Sequence, residues 1–457
     1  MAHPNIVLIV TDNQAPWTLG CYGNEEIRTP AIDRLATDGM RMTNTFCSNP
    51  VSSPNRATLL TGLMPSQHGV HSYLSTEEPD AQMGPDAYCT IAEFPNLPQM
   101  LADAGYGCGM SGKWHLGDSL HPQLGFQSWL AKPDGHTATF YDVPLIRDGR
   151  ITREPRYTTE AIADHAVSFL HQADDHPSFL YVGFNGPYGL DGDTLTGHRN
   201  RHAAFYADQE LACFPREPTH PWLRQYRDRM DNPTARRSYA AAVSGVDDGV
   251  DVIIRAISEL GMTENTLVIF TSDHGFCGGH HGMWGMGDHS RPTHLYQQNL
   301  RIPLLMRYPA RIPAGRAWRK INSNYDLFPT LLDLLGLAHP TQESPEYPGR
   351  SYADALLGKA CNREREMAFH EYENTRCVQT PEWKLVRRHP DGPDELYQIG
   401  TDPEERRNRI DDASCHGVVA HLAEELTVFF DRYSDPQYDR WKGGRSKAGE
   451  LADLEPI

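Results

Sequence analysis

The stretch NIVLIVTDNQ, residues 5–14, decides the fold. Ile6 to Val10 are apolar without a break, and they run straight into Thr11-Asp12-Asn13. A strand with apolar side chains on both sides must be covered on both faces, as in a parallel sheet. The same shape returns in NTLVIFTSDHG, residues 265–275, which ends in Asp273-His274. Strand candidates are therefore Ile6–Thr11 and Leu267–Thr271, joined by Gly107–Gly112, Phe179–Phe184 and Ile302–Arg307. Helical patterns fall between them near Ala31–Gly39, Leu97–Ala104, Thr159–Gln172, Ala235–Leu260 and Leu327–Leu335, the first announced by Thr29-Pro30. Alternating strands and helices predict an α/β fold, a central mostly parallel sheet flanked by helices.

From about residue 367 the pattern changes. MAFHEY, TRCVQT, WKLVRRH and DELYQI are short alternating segments broken by turn residues. They predict a small antiparallel sheet, packed with a last helix over Val418–Tyr433 and followed by a polar tail. With a boundary between Gly358 and Arg365, residues 1–360 are expected to form an α/β domain that would carry any chemistry, and 361–457 a C-terminal subdomain. Residues 188–233 are weakly periodic and read as a loop insertion that shapes a pocket. Tyr188, His198, Arg199, Arg201, His202, Trp222, Arg224 and Arg227 within it suit a ring-shaped ligand carrying further negative charge, or else pack and face solvent.

The net charge of −18 over 457 residues argues against a nucleic-acid surface or a basic membrane-binding face. No apolar run reaches the roughly 18 residues of a membrane span. Met1-Ala2-His3-Pro4-Asn5 leads into the first strand without a basic n-region, and the nine cysteines form no CxxC. Both features fit a cytoplasmic protein with reduced thiols; a chain starting at a mature N-terminus would instead be secreted or periplasmic.

Ligands of open parallel sheets gather at the carboxyl ends of the strands. Asp12, Asn13, Asp273 and His274 sit at two such ends and could surround one hard cation, Ca²⁺ or Mg²⁺, or serve as turn residues. NPVSSPNRATLLTGLMPSQHGV, residues 49–70, has two readings. Ser52-Ser53-Pro54 is a turn capping a helix from Asn55 that ends at Gly62, or Ser52 is a nucleophile at a helix N-terminus that welcomes an anion. SGKWHLG sets Lys113 and His115 on one face of an extended segment, a point charge beside a proton carrier, or a surface Lys beside a half-buried Trp. The loop after Asp273 carries His280, His281, His289 and His294, which could bind a second metal, protonate a leaving group or pack the loop. Chemistry is favoured for His294 alone. Cys47, expected within a strand, reads as a structural thiol.

With these pieces together the chain resembles a type I sulfatase of the alkaline phosphatase superfamily. Its signature, Cys or Ser, any residue, Pro, any residue, Arg, then Thr-Gly, is matched by Ser52-Ser53-Pro54-Asn55-Arg56 and Thr61-Gly62. TPAIDRLATDGM, AGYGCGMSGKWHLG, LRIPLLMRYPARI and WKLVRRHPDGPDELYQIGTDPEE also resemble family segments, in order. The resemblance implies the three-layer alkaline-phosphatase-like fold and hydrolysis of a sulfate ester, on a carbohydrate. It implies that Ser52 is converted to formylglycine (3-oxoalanine) by a sulfatase-maturating enzyme. The hydrated aldehyde would attack sulfur, and its second hydroxyl would let the sulfated hemiacetal collapse. Arg56 would stabilise that gem-diol, Lys113 would hold a sulfate oxygen, and His115 would act as base. Asp12, Asn13, Asp273 and His274 would carry one divalent cation, Ca²⁺ ahead of Mg²⁺ or Mn²⁺. Three positions depart from the family pattern. Asn13 stands for a second Asp, Tyr188 for the His of a Pro-His turn, and Pro292 near an expected Lys. His294 is the preferred leaving-group acid, with Tyr188, Arg291 and His294 as substrate contacts. Phosphonate monoester or phosphodiester hydrolysis on the same fold, and non-catalytic binding of a sulfated ligand, are the competing readings.

Overall fold

The computed structural model describes residues 3–75, 87–147, 149–172, 176–340, 345–362 and 364–448. In chain order the strands of the large sheet are β1 (Asn5–Asp12), β2 (Met40–Phe46), β3 (Gly107–Gly112), β4 (Ser128–Ala131), β5 (Tyr141–Arg147), β6 (Arg150–Tyr157), β7 (Ser178–Pro187), β8 (Thr266–Ser272), β9 (Arg301–Arg307), β10 (Arg316–Trp318) and β11 (Asn322–Ser323). Across the sheet they run β10-β2-β9-β8-β1-β7-β3-β4-β5-β6, with β11 paired to β2. The centre, β8-β1-β7-β3-β4, is parallel; β9 and β5 run against it, and β6 returns in its direction.

Alternation along β1 feeds two apolar layers. Val7 and Ile9 pack with Ala161, Val243 and Ile253 of helices Thr158–His171 and Pro233–Glu259. Ile6, Leu8 and Val10 face the other way, to Leu59, Leu97 and Leu331 of helices Ser52–Thr61, Leu97–Asp103 and Leu327–Leu335. The result is the expected three-layer, alkaline-phosphatase-like architecture. Register then positions the chemistry: Thr11 lies opposite Ser272, so Asp12-Asn13 and Asp273-His274 leave neighbouring strands at one level.

A second sheet, β12 (Ala368–Tyr372), β13 (Thr375–Gln379), β14 (Lys384–Arg388) and β15 (Glu395–Tyr397), is antiparallel throughout. Helix His416–Tyr433 covers it, setting Leu422, Leu426 and Phe430 against Val378, Leu385 and Leu396. Residues 449–457 of the expected tail lie outside the described residues.

The five strands read from sequence all form. β2, β4, β10, β11 and the β5–β6 hairpin are additions; the hairpin lies at the sheet edge, where exposed polar residues interrupt the apolar pattern. β2 ends one residue before Cys47. Among the described residues, no helix is long and apolar enough to cross a membrane.

Candidate active site

Ser52 does not cap a helix that starts at Asn55; it is itself the first residue of helix Ser52–Thr61, behind an extended Val51. Pro54 is tolerated because first-turn N–H groups have no partner inside the helix, and Gly62 ends the helix in the left-handed region at φ 73°. The N-cap residue is Val51, which makes no side-chain cap bond, and the Ser52 hydroxyl is not turned to the helix end. It lies instead 3.2 Å from His274 Nε2 and 3.4 Å from Asp12 Oδ1, and it accepts a bond from Lys113 Nζ at 3.2 Å. Arg56, one turn on, stays on the same side.

Each strand-end carboxylate is divided between two tasks. Asp12 Oδ2 accepts from Lys113 Nζ at 2.5 Å, and Asp273 Oδ2 accepts from Arg56 Nε and Nη2 at 3.1 and 2.8 Å. Their Oδ1 atoms turn the other way, 3.8 and 3.6 Å from His274 Nε2. His274 Nδ1–H donates to Gly275 O at 2.9 Å, which leaves the Nε2 lone pair facing the carboxylates. Burial raises the Asp273 carboxyl, but the Arg56 and Lys113 charges and the Arg56 hydrogen bonds hold it below the usual carboxylate range.

One ligand atom each from Asp12, Asp273 and His274 lies within 4.8 Å of the others. Asn13 adds a test of fit. Its Nδ2 donates to Tyr188 O at 2.5 Å, while its buried Oδ1 has no hydrogen-bond partner. A buried amide oxygen without a donor, on a residue whose N lies 3.4 Å from Asp273 Oδ1, together with the two carboxylates and the imidazole fits a hard divalent cation.

Ser52, Lys113, His115 and Tyr188 open onto a cavity of about 330 Å³. His115 departs from the extended segment expected: its φ is +61°, and its Nε2–H donates to Leu74 O at 3.0 Å. Gly135 makes this possible, because a Cβ there would lie 1.9 Å from His115 Nε2. Burial and the Lys113 charge push the imidazole far below its ordinary value, so it is a neutral ring with a buried, unpartnered Nδ1. Tyr188, also at positive φ, places its ring 5.6 Å from Lys113 Nζ, and its hydroxyl lies 2.8 Å from His136 Nδ1.

Two expected substrate contacts lie elsewhere. His294 does not line this cavity; it is buried 3.4 Å from the Asn299 side-chain amide, tilted on Tyr296, and burial keeps it neutral. Arg291 is not a lining residue either, its Nη1 donating to Asp288 O and Ser290 O at 2.8 Å. His281 stacks on Tyr296 and His280 tilts on Trp17. Of the four loop histidines only His289 reaches the cavity, with Asp288 beside it. Sequence reasoning named His289 only as one of the four loop histidines, favoured His294 over it, and missed Asp288, Tyr73, Asp134, His136 and Tyr226 on the same wall; the glycines at 285 and 287 were the available signal.

The cations of 188–233 are also absent from the wall. Arg201 and His202 pair with Asp248, Arg199 covers Tyr141, and Arg227 donates to Leu223 O. Among the described residues this insertion lends the cavity only Tyr188, Gln225 and Tyr226. A wider cleft of about 700 Å³ beside Trp17 and Arg319 contains no residue named above for Ser52's surroundings. Cys47, buried with Sγ 3.4 Å from Asn299 O and its thiol pushed up by burial, is structural.

Comparison with known proteins gives a family model described as Sulfatase over residues 4–337 and one described as N-sulphoglucosamine sulphohydrolase, C-terminal, over 282–431. An N-acetylglucosamine-6-O-sulfatase of Bacteroides thetaiotaomicron is 27% identical, over 95% of this chain and 88% of the relative. An N-acetylgalactosamine-6-sulfatase of Canis lupus familiaris is 28% identical, over 95% and 80%. Among solved structures, a protein in complex with its substrate D-glucosamine-2-N,6-O-disulfate superposes with a TM-score of 0.74 at 23% identity, over 94% of this chain and 98% of that one. The phosphonate monoester hydrolase of Agrobacterium radiobacter superposes at 0.71 with 21% identity, over 95% and 97%.

Proposed function

The chain belongs to the sulfatase family and is a sulfuric ester hydrolase; from that premise we propose that it removes sulfate from a carbohydrate, with residue 52 as the nucleophile after conversion to formylglycine. The sugar specificity named for its relatives supports the substrate class. The convergence of Ser52 Oγ with Lys113 Nζ and His274 Nε2, each at 3.2 Å, carries the assignment of the nucleophile.

Asp12, Asn13, Asp273 and His274 would hold one divalent cation, Ca²⁺ by the hardness of their oxygen-rich set. When bound, it supplies charge that polarises the sulfate and acidifies the attacking hydroxyl. Lys113, already donating to residue 52, would hold a sulfate oxygen beside the nucleophile. Arg56 fixes Asp273 and so the orientation of the ligand set. His115, which lines the same cavity as residue 52, would be the base for the collapse step. Formylglycine, hydrated, would supply a second hydroxyl whose deprotonation frees the sulfate, a route closed to a plain serine ester. A maturating enzyme is the partner this chemistry requires.

The test compares protein co-expressed with a radical-type maturating enzyme against protein with unaltered Ser52. Only the mature form, with Ca²⁺, should hydrolyse sugar sulfates. Full turnover by unmodified serine overturns the nucleophile, and turnover of phosphonate esters without sulfate esters overturns the reaction.

A further inference from the structure

We propose that the cavity wall facing the sugar selects a monosulfated ring carrying no second anion, neutral or amino-bearing, through the carboxylates of Asp288 and Asp134. The inference rests on the sulfatase reading and names the substrate class within it.

Asp288 is only 5% exposed, lines the cavity, and its Oδ1 has no hydrogen-bond partner. His289 Nε2 is near, at 3.4 Å, without forming a bond. A buried, desolvated carboxylate oxygen without a donor lacks what a ligand hydroxyl or ammonium provides. The surroundings are built to keep it so. Met286 N donates to His289 Nδ1 at 3.1 Å, which puts the ring proton on Nε2. Gly285 admits the ring, since a Cβ there would sit 2.3 Å from Nδ1, and Tyr226 closes edge-on at 4.6 Å. Asp288 as acceptor and His289 Nε2–H as donor therefore form an adjacent pair suited to two neighbouring ring substituents.

Charge is divided across the cavity. At the Ser52 end stands Lys113, the one ammonium or guanidinium among the described lining residues, and it is committed to Asp12 and Ser52. On the sugar-facing wall stand Asp288 and, at the exposed rim, Asp134. Two nearby cations, neither of them a lining residue, are bonded to other oxygens. Lys132 Nζ donates to His136 O and Thr137 Oγ1, and Arg229 Nη2 to Leu190 O and Asp191 O. The arginines of 188–233 that suggested a polyanionic substrate do not reach the cavity. Among the described lining residues no lysine or arginine besides Lys113 joins these carboxylates, so a second sulfate or a uronate would meet negative charge on this wall, which is discrimination by repulsion.

The experiment uses the full chain as Ser52→Ala with Ca²⁺, titrated calorimetrically with ligand pairs that differ in one charge. These are glucosamine 6-sulfate against its 2-N,6-O-disulfate, and N-acetylgalactosamine 6-sulfate against its 4,6-disulfate. The monosulfated member should bind at least about tenfold tighter in at least one pair, less so at high salt. Asp288→Asn should shrink that gap to within about threefold, and Asp134→Asn, at an exposed site that spares folding, should shrink it in part. Equal or tighter binding of the disulfated members overturns the inference, as does a gap unchanged in both variants, or no sugar bound at all. Hydrolysis of 4-nitrophenyl sulfate by the mature enzyme reports separately on the sulfatase reading, because that ester needs no sugar wall.

Discussion

Arg56 and Asp273 form a two-pronged ion pair in which neither side chain has any exposure. Both guanidinium bonds go to Oδ2, while Nη1 reaches Lys113 O and the Tyr181 hydroxyl accepts from it at 2.9 Å. The pair thereby fixes which oxygen of Asp273 is left for a cation. Arg56→Lys cannot reproduce the fork. Cation affinity should fall about 10- to 100-fold, read by calorimetric Ca²⁺ titration. Arg56→Met should also cost about 3–5 kcal/mol of stability by stranding the Asp273 charge. An Arg56→Lys variant that binds Ca²⁺ as the wild type does would refute this division of labour.

Asn13→Asp separates charge from geometry. The new carboxylate adds a hard donor to the cation set but removes the amide that donates to Tyr188 O. Without metal, the variant should melt lower than wild type, since three carboxylates then crowd one point against an undonated carbonyl. With saturating Ca²⁺ the order should narrow or invert, because a charged ligand tightens the site. Thermal melts with chelator and with Ca²⁺ read both effects.

The strand ends were legible in sequence because two uninterrupted apolar runs demand a covered parallel sheet, and parallel neighbours end together. Ser52, Arg56 and Lys113 entered through the resemblance of Ser52-Ser53-Pro54-Asn55-Arg56 and SGKWHLG to family segments, and one helical turn and one strand end bring them together. What failed depended on partners distant in the chain. His294 and His289 lie five residues apart on one loop, and local pattern does not rank them. Gly285, at φ +81°, and the bond from Met286 N seat His289 at the cavity. The insertion's arginines looked available for substrate because Asp248, which claims Arg201, sits on a helix outside the insertion. The β5–β6 hairpin escaped notice since an edge ribbon needs little apolar surface.

Asp247 gives a pH dependence unconnected with catalysis. It accepts from Ala31 N at 3.1 Å and Ile32 N at 2.8 Å, at the start of helix Pro30–Thr37. Burial nevertheless pushes its carboxyl up to about 7. The folded state then holds a proton that the unfolded chain has released, so this group's stability falls as pH rises from about 4 and levels off above 7. The full swing is on the order of 4 kcal/mol at most. Asp247→Asn does not titrate, so its melting point relative to wild type should climb across that window. A constant difference from pH 4.5 to 7.5 would contradict the shift.

Lys384 and Glu405 tie the second sheet to the cavity loop. They form an ion pair at 2.5 Å with no exposure on either side chain. Lys384 Nζ also donates to Leu295 O, Glu405 Oε2 accepts from Gln297 N at 2.7 Å, and Arg388 Nη2 donates to Thr293 O at 2.7 Å. Residues 293–297 are thus held from three side chains, directly after the segment bearing Asp288 and His289. Lys384→Met strands a buried carboxylate and should cost about 3–5 kcal/mol. Lys384→Met with Glu405→Leu removes both charges and should recover most of that loss. The double variant still lacks the bonds to Leu295 O and Gln297 N, so the loop should loosen. In the mature enzyme KM for a sugar sulfate should rise severalfold, while kcat for 4-nitrophenyl sulfate stays near wild type, because Ser52, Lys113 and the strand-end ligands are held by the large sheet. Equal losses on both substrates would place the latch in the core of the site instead.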